Sequence, residues 1–151
     1  MVAERKKAAG GSRHYEFVEH TADIAIKAYG KTVEEAYAVA GDAMFDIMTD
    51  GSKIRPDKEI AVEVESVDRE GLLVGFLSKL ILLREVDGWV LTDFEVTSLS
   101  ERNLTARGFG EKYDKEKHAS GYHIKGVSYH MMEIADPAGE TPAYVQVLFD
   151  V

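Results

Sequence analysis

The spacing of apolar residues changes several times along this 151-residue chain, and the order of those changes limits the folds it can adopt. Apolar residues recur at helical spacing over about residues 33–48 and again through "DREGLLVGFLSKLILLREVDG". Alternation typical of strands begins in residues 14–30 and returns in "EIAVEVES". After Gly88 we predict four further strands, "WVLTDFEVTSL", "NLTARGFG", "GYHIKGVSYHMMEI" and "AYVQVLFDV". The order β-α-β-α-β-β-β-β predicts an α+β domain in which two main helices pack on a mostly antiparallel sheet.

Both predicted helices carry recognisable signals. In the first, Thr32 and Glu35 fit a capping box, in which the threonine side chain accepts from a backbone N–H and the glutamate reaches back. In the second, a leucine stripe with Phe76, widened by Val74 and Ile81, indicates a helix that is buried over much of its surface. We therefore expect the second helix to lie at the centre of the core.

The chain is acidic, with a net charge of −9 from 27 acidic and 18 basic residues. Its start runs against this trend, and its Ala, Gly and Lys content predicts a disordered basic arm over residues 1–13. The acidic remainder argues against direct nucleic-acid binding, because that binding depends on Lys and Arg neutralising phosphates. It permits docking onto a basic partner or the binding of cations, and it also serves solubility.

The chain contains no cysteine, which excludes disulfides, zinc thiolate sites and a cysteine nucleophile. The basic start is not followed by the apolar segment of a signal peptide, and no apolar run approaches the roughly 18 residues of a membrane span. We therefore expect a cytoplasmic protein that does not associate with a membrane. Residues 14–151 are predicted to form a single domain, because no linker or internal repeat divides them.

Two acidic features could carry chemistry. The segment "EHTAD" interrupts the first strand and ends in Asp23, and the chain closes with "VLFDV", which sets the Asp150 carboxylate beside the α-carboxylate of Val151. If the last strand pairs beside the first, these three groups would meet, and a cation would relieve their repulsion. Oxygen ligands of this kind suit a hard cation such as calcium or magnesium. The alternative is that Asp23 caps a bulge and that Asp150 is a frayed terminal acid.

Other constellations carry less weight. His123 and His130 are seven residues apart on one predicted strand, so they would face opposite sides and form no ready chelate. The chain lacks the phosphate-loop lysine pattern, the Gly-x-Ser-x-Gly elbow and the HExxH motif. A metal-dependent hydrolase that uses Asp23 with His20 as acid or base stays open, although the geometry of a general acid is missing. The residues alone therefore indicate an acidic α+β domain with a candidate oxygen-ligand metal site.

Three stretches together resemble the archease family: "EHTADIAIKAYGKTVEEAYAVAGDAMFDIM", "IKGVSYHMMEI" and the terminal "VLFDV". The resemblance covers nearly all of residues 14–151 in the right order, and "HTAD", "VSYH" and "FDV" are specific in combination. It implies the α+β archease fold, which is similar to that of a redox-regulated heat-shock chaperone.

Archeases assist the RNA ligase that joins 3′-phosphate or 2′,3′-cyclic-phosphate ends to 5′-hydroxyl ends and so completes tRNA splicing. The resemblance thus implies a protein cofactor, not an enzyme, that promotes guanylylation of the ligase's active-site histidine and permits multiple turnover. The implied partner is the RNA-splicing ligase, without direct binding of nucleic acid by this chain. The alternative that the family offers is a chaperone-like module for a tRNA methyltransferase.

The resemblance also maps a metal site onto Asp23, Asp150 and Val151. Asp23 is the acid of "HTAD", Asp150 is the penultimate acid, and Val151 is the terminal residue. The implied cofactor is a divalent cation, with calcium preferred over magnesium or manganese. On this interpretation "EHTAD" interrupts the first strand in order to direct Asp23 at a cation shared with the C-terminus.

Overall fold

The computed structural model describes residues 6–9, 13–18 and 23–151 of the chain. In chain order the elements within these ranges are β1 (Lys6–Ala9), β2 (Arg13–Val18), β3 (Ile24–Gly30), α1 (Val33–Met48), β4 (Lys58–Glu65), α2 (Arg69–Glu85), β5 (Trp89–Leu99), β6 (Asn103–Lys112), β7 (Gly126–Ala135) and β8 (Ala143–Asp150).

The strands form two sheets, and both helices pack against them. The larger sheet has the order β1-β2-β3-β8-β7, the smaller sheet has the order β4-β6-β5, and the pairings within both are antiparallel. Helix α1 packs against β2, β3 and β8 of the larger sheet and against β5 of the smaller one, so it joins the two. The predicted α+β class is confirmed, with the strands divided between two sheets.

Residues 14–30, predicted as one interrupted strand, form an antiparallel hairpin. Tyr15 lies opposite Ala28 and Val18 lies opposite Ala25. The single-strand prediction was wrong because both arms carry the same alternation, and alternation does not record the direction of the chain. Residues 19–22, which connect the two strands, lie outside the described residues.

Four residues of the predicted basic arm form β1, which pairs with β2 from Lys6 opposite Glu16 to Ala9 opposite Arg13. The edge of a hairpin offers backbone groups with which a segment of almost any composition can pair, and the disordered arm as a whole stays a prediction. Residues 1–5 and 10–12 of the same arm lie outside the described residues.

Helix α1 begins where the capping signal predicts. The Thr32 side-chain oxygen accepts from the Glu35 N–H at 3.1 Å. The Glu35 carboxylate reaches back by one residue more than a standard capping box requires, and accepts from the Lys31 N–H at 2.7 Å. The first bond satisfies an N–H of the first helical turn, which has no partner within the helix, and the second satisfies the N–H of the residue before the cap.

The central helix is α1, not α2 as the sequence led us to expect. All residues of α1 except Glu34, Glu35 and Asp46 are buried. Its alanines and glycine let both sheets approach its backbone, whereas the larger leucines of α2 cover only one face. Neither described helix is long and apolar enough to cross a membrane.

An aromatic contact ties the layers together. The Phe94 ring of β5 stacks on Phe45 of α1 at 5.8 Å between ring centroids and meets Phe76 of α2 edge-on at 5.9 Å. All three side chains are almost fully buried. Burial of each ring stabilises the fold by about 1.5–3 kcal/mol, so the two helices and the smaller sheet share one core.

Candidate metal site at the end of the central strands

The pairing of β3 with β8 brings two of the predicted ligands to one edge of the larger sheet. Ile24 lies opposite Phe149 in the antiparallel register. Asp23, the residue before β3, and Asp150, the last residue of β8, therefore lie at the same end of the two strands. The arrangement that the sequence analysis required, the last strand beside the first apolar segment, is present.

The chain is held in place at this edge. The Lys125 N–H donates to the Asp150 carbonyl oxygen at 2.7 Å. Val151 is half-buried and packs against the hydrophobic core. Asp150 is exposed and Asp23 is half-buried, so solvent and other molecules reach both residues. We call Asp23, Asp150 and the carboxylate of Val151 the acidic edge.

The chemistry of the acidic edge fits a hard cation. Every donor is a carboxylate oxygen, the ligand type that calcium and magnesium take from proteins. In residues 13–18 and 23–151, no three side chains of Asp, Glu or His gather closely enough to hold a metal. On the predicted ligand set, Val151 would supply the third carboxylate beside the two aspartates. The metal site stays a prediction, and His20 lies outside the described residues.

The loop of residues 113–125 closes the C-terminal end of α1 and then leads to the acidic edge. The Gly121 N–H donates to the Met48 carbonyl at 2.9 Å, and the Tyr122 N–H donates to the Ile47 carbonyl at 3.0 Å. Carbonyl groups in the last turn of a helix have no partner within the helix, so the loop satisfies two of them. The position of the loop is thereby tied to α1.

A buried histidine fixes the other half of this loop. The His118 Nδ1 accepts from the Asp114 N–H at 2.9 Å, and its Nε2 lies 3.0 Å from a Glu111 carboxylate oxygen. Because Nδ1 accepts, Nε2 carries the proton and donates to Glu111. The Arg55 N–H, and less strongly His118, hold the pKa of the Glu111 carboxyl below its ordinary value against the opposing effect of desolvation. Asp114 belongs to the loop and Glu111 to the end of β6, so the ring ties the path of the loop to that strand.

The structure corrects the prediction for two other histidines. Strand β7 begins at Gly126, so His123 lies on the loop, where its Nε2 is 3.0 Å from a Glu85 carboxylate oxygen. His130 lies within β7 and is exposed. The expectation that both share one strand and face opposite sides was wrong, because the loop continues five residues further than the alternation suggests.

Sequence reasoning missed an irregularity in β7 beside the acidic edge. Ser128 lies opposite Leu148 and Glu133 lies opposite Gln146, so five steps along β7 match two steps along β8. Residues 129–132 have no partners in that register and form what we call the β7 bulge. It contains the last two letters of the "VSYH" motif.

Comparison with known proteins places these observations in a family. The model of the archease protein family (MTH1598/TM1083) matches residues 15–151. The archease of Pyrococcus furiosus is 40% identical over 126 residues, which are 81% of this chain and 88% of that protein. The archease of Methanosarcina barkeri is 41% identical over 139 residues, which are 89% of this chain and 95% of that protein.

A solved structure shows the same fold. The solution structure of protein 1598 from Methanobacterium thermoautotrophicum aligns with a TM-score of 0.73 at 31% identity, and the alignment covers 91% of this chain and 98% of that one. The family match therefore extends from β2 through both sheets to the acidic edge. On these grounds, the chain belongs to the archease family.

Proposed function

We propose that this chain is a non-enzymatic protein cofactor of an RNA-splicing ligase. It promotes guanylylation and multiple turnover of the ligase through a divalent cation, calcium in the first instance, at the acidic edge. The observation that carries the proposal is the register of β3 and β8, which brings Asp23 and Asp150 together at an exposed edge in a member of the archease family.

The position of the acidic edge supports a role shared with a partner. Asp150 is exposed, and Asp23 is half-buried. A divalent cation held there by a few carboxylates would keep coordination positions for phosphate oxygens of another molecule, and would offset their negative charge. Asp23 and Asp150 would hold the cation, and the Lys125 N–H would keep the Asp150 backbone in place.

Charge also supports this partner class. The chain has a net charge of −9. A ligase that binds GTP and RNA ends must present basic groups to phosphates, and opposite potentials speed the association of two proteins. The acidic edge would approach a surface of that kind favourably, while free nucleic acid would be repelled.

The test is multiple-turnover ligation of RNA with 3′-phosphate and 5′-hydroxyl ends by the purified ligase. Wild-type protein is compared with Asp23→Asn and Asp150→Asn, which keep side-chain size and remove one negative charge each. The control is Asp57→Asn, an exposed acid before β4 that lies 3.6 Å from Arg55 and away from the edge. We expect wild type and the control to stimulate turnover and ligase guanylylation, and both edge variants to lose the stimulation.

Each other result has a distinct meaning. If the folded edge variants still stimulate the ligase, the protein is a cofactor of the ligase but does not act through a cation at the acidic edge. No stimulation by wild type would contradict the proposal and favour the chaperone-like role, for which suppressed aggregation of a tRNA methyltransferase is the assay. Phosphodiester hydrolysis that Asp23→Asn abolishes would show an enzyme instead.

A further inference from the structure

We infer that the β7 bulge is a docking contact of this protein with the ligase, placed beside the acidic edge. The inference rests on the proposed function, and names a surface that the acidic edge does not include. Four consecutive residues of the bulge lack partners in a strand that is otherwise paired.

The bulge lies on the outer face of the larger sheet, the same face that carries the Asp150 side chain. Phe149 is buried in the core, so its neighbours along β8 alternate to the outer face. Gln146 is one of these outer residues, and its side-chain amide donates to the Met131 carbonyl at 2.9 Å. The bulge starts opposite Leu148, two residues from Asp150, or about 7 Å along the strand.

Specific contacts hold the bulge in its shape. Gln146 is only 9% exposed, and its amide also approaches a Glu133 carboxylate oxygen at 3.3 Å. The Ser128 side-chain oxygen accepts from the His130 N–H at 2.9 Å. A buried amide committed to the bulge indicates a defined conformation, because a polar side chain is costly to bury unless its hydrogen bonds are made.

The defined conformation includes backbone strain and exposed apolar surface. Met131 has a φ of 60°, in the left-handed region that side chains other than glycine rarely adopt. Tyr129 is 59% exposed and Met131 is 40% exposed. Strained residues persist when the surrounding structure holds them, and they gather at functional sites. Tyrosine and methionine are also enriched where proteins meet other proteins.

Protection of a sheet edge is the competing explanation. Strand β7 ends the larger sheet, and a bulge blocks further strand pairing at an edge. Protection of the sheet edge at β7, however, requires neither an exposed tyrosine and methionine nor a buried glutamine whose amide donates to the Met131 carbonyl. Charged residues serve that purpose better. The acidic edge and the bulge together place negative charge beside an exposed apolar contact. This surface complements a ligase whose phosphate-binding site is basic and is bordered by apolar residues.

The experiment measures ligase turnover as a function of the concentration of this protein. The double variant Tyr129→Ser with Met131→Ser is compared with wild type and with Leu82→Ser. Leu82 is a matched control because it is 58% exposed on α2, outside the larger sheet. Calorimetric titration of the ligase without RNA gives the affinity of each form independently of turnover.

We expect the double variant to need about tenfold more protein for half-maximal stimulation, with the same plateau, because central contacts of an interface carry most of its affinity. Leu82→Ser should match wild type in both assays. A double variant with the half-maximal concentration and the affinity of wild type would overturn the inference. The bulge would then serve only to protect the sheet edge at β7. A lower plateau at unchanged affinity would also overturn it.

The two proposals fail in different ways. If wild type binds the ligase without stimulating it, the proposed function fails, while weaker binding by the double variant still supports the docking contact. If wild type neither binds nor stimulates, both proposals are wrong.

Discussion

Replacing Gly121 with alanine should break the hydrogen bonds that hold the loop of residues 113–125 against the end of α1. A Cβ on Gly121 would overlap the Ile47 carbonyl oxygen and lie 2.8 Å from the Asp50 amide nitrogen. No side chain can move aside there, because both atoms belong to the backbone. The loop must shift, and the bonds that Gly121 and Tyr122 donate to the end of α1 lengthen or break.

The cost follows from those contacts. Two lost hydrogen bonds cost about 1 kcal/mol each, and relief of the overlap costs about 1–3 kcal/mol more. The lower entropy of the unfolded alanine chain returns about 0.4–1 kcal/mol. We expect Gly121→Ala to lower the free energy of unfolding by about 2–4.5 kcal/mol, measured by urea denaturation followed by circular dichroism.

Gly126→Ala is the matched control. An added Cβ at Gly126 would meet no atom within 4 Å, so we expect a change within about 0.5 kcal/mol. Hydrogen exchange supplies a local readout, since the Lys125 N–H bonded to Asp150 should lose protection in Gly121→Ala. If Gly121→Ala unfolds at the same urea concentration as Gly126→Ala, the loop does not depend on its close contact with α1.

Three further predictions concern other parts of the chain. Burial raises the pKa of the Tyr37 hydroxyl, which donates to the Arg69 carbonyl at 2.7 Å, so Tyr37→Phe should cost about 1–2 kcal/mol in urea denaturation. The pKa of Glu111 is lowered from 4.5 in the folded state, so its carboxylate stabilises the fold above that pH and the contribution disappears as pH falls through the folded pKa. The stability of Glu111→Gln and wild type should therefore converge on acidification, and parallel curves would contradict this. A C-terminal tag converts the Val151 carboxylate to an amide and should weaken calcium binding in calorimetry, whereas an N-terminal tag should not.

The elements that alternation and helical spacing define could be predicted from the sequence. Helix α1 spans Val33–Met48 as expected, because apolar spacing and the Thr32 cap mark its ends independently. Strand β5 likewise matches its predicted bounds, Trp89–Leu99. Periodicity reports which face of a segment is buried, and that information is local to the segment.

Features that depend on chain direction or on a partner strand could not be predicted in this way. The hairpin of β2 and β3 was missed because the sequence between the two strands has no glycine or proline to mark a reversal. The β7 bulge left a trace, since the apolar positions change phase between Met131 and Met132, but a phase change alone does not show how many residues protrude. The acidic edge depends on the pairing of β3 with β8, which joins residues at opposite ends of the chain.

The core residues of β8 decide where its functional residues point. Val145, Val147 and Phe149 are fully buried, and the residues between them, Gln146 among them, take the outer face. A slip of one residue would turn these three side chains away from the core and would place Gln146 and Asp150 there instead, at about 2–7 kcal/mol for a buried unpaired amide and more for a buried carboxylate. That penalty is comparable to the whole stability of a small domain, so the register is fixed. Because these three apolar side chains pack in the core, the Gln146 side chain lies on the outer face of the larger sheet, against the β7 bulge. Asp150 lies on the same outer face.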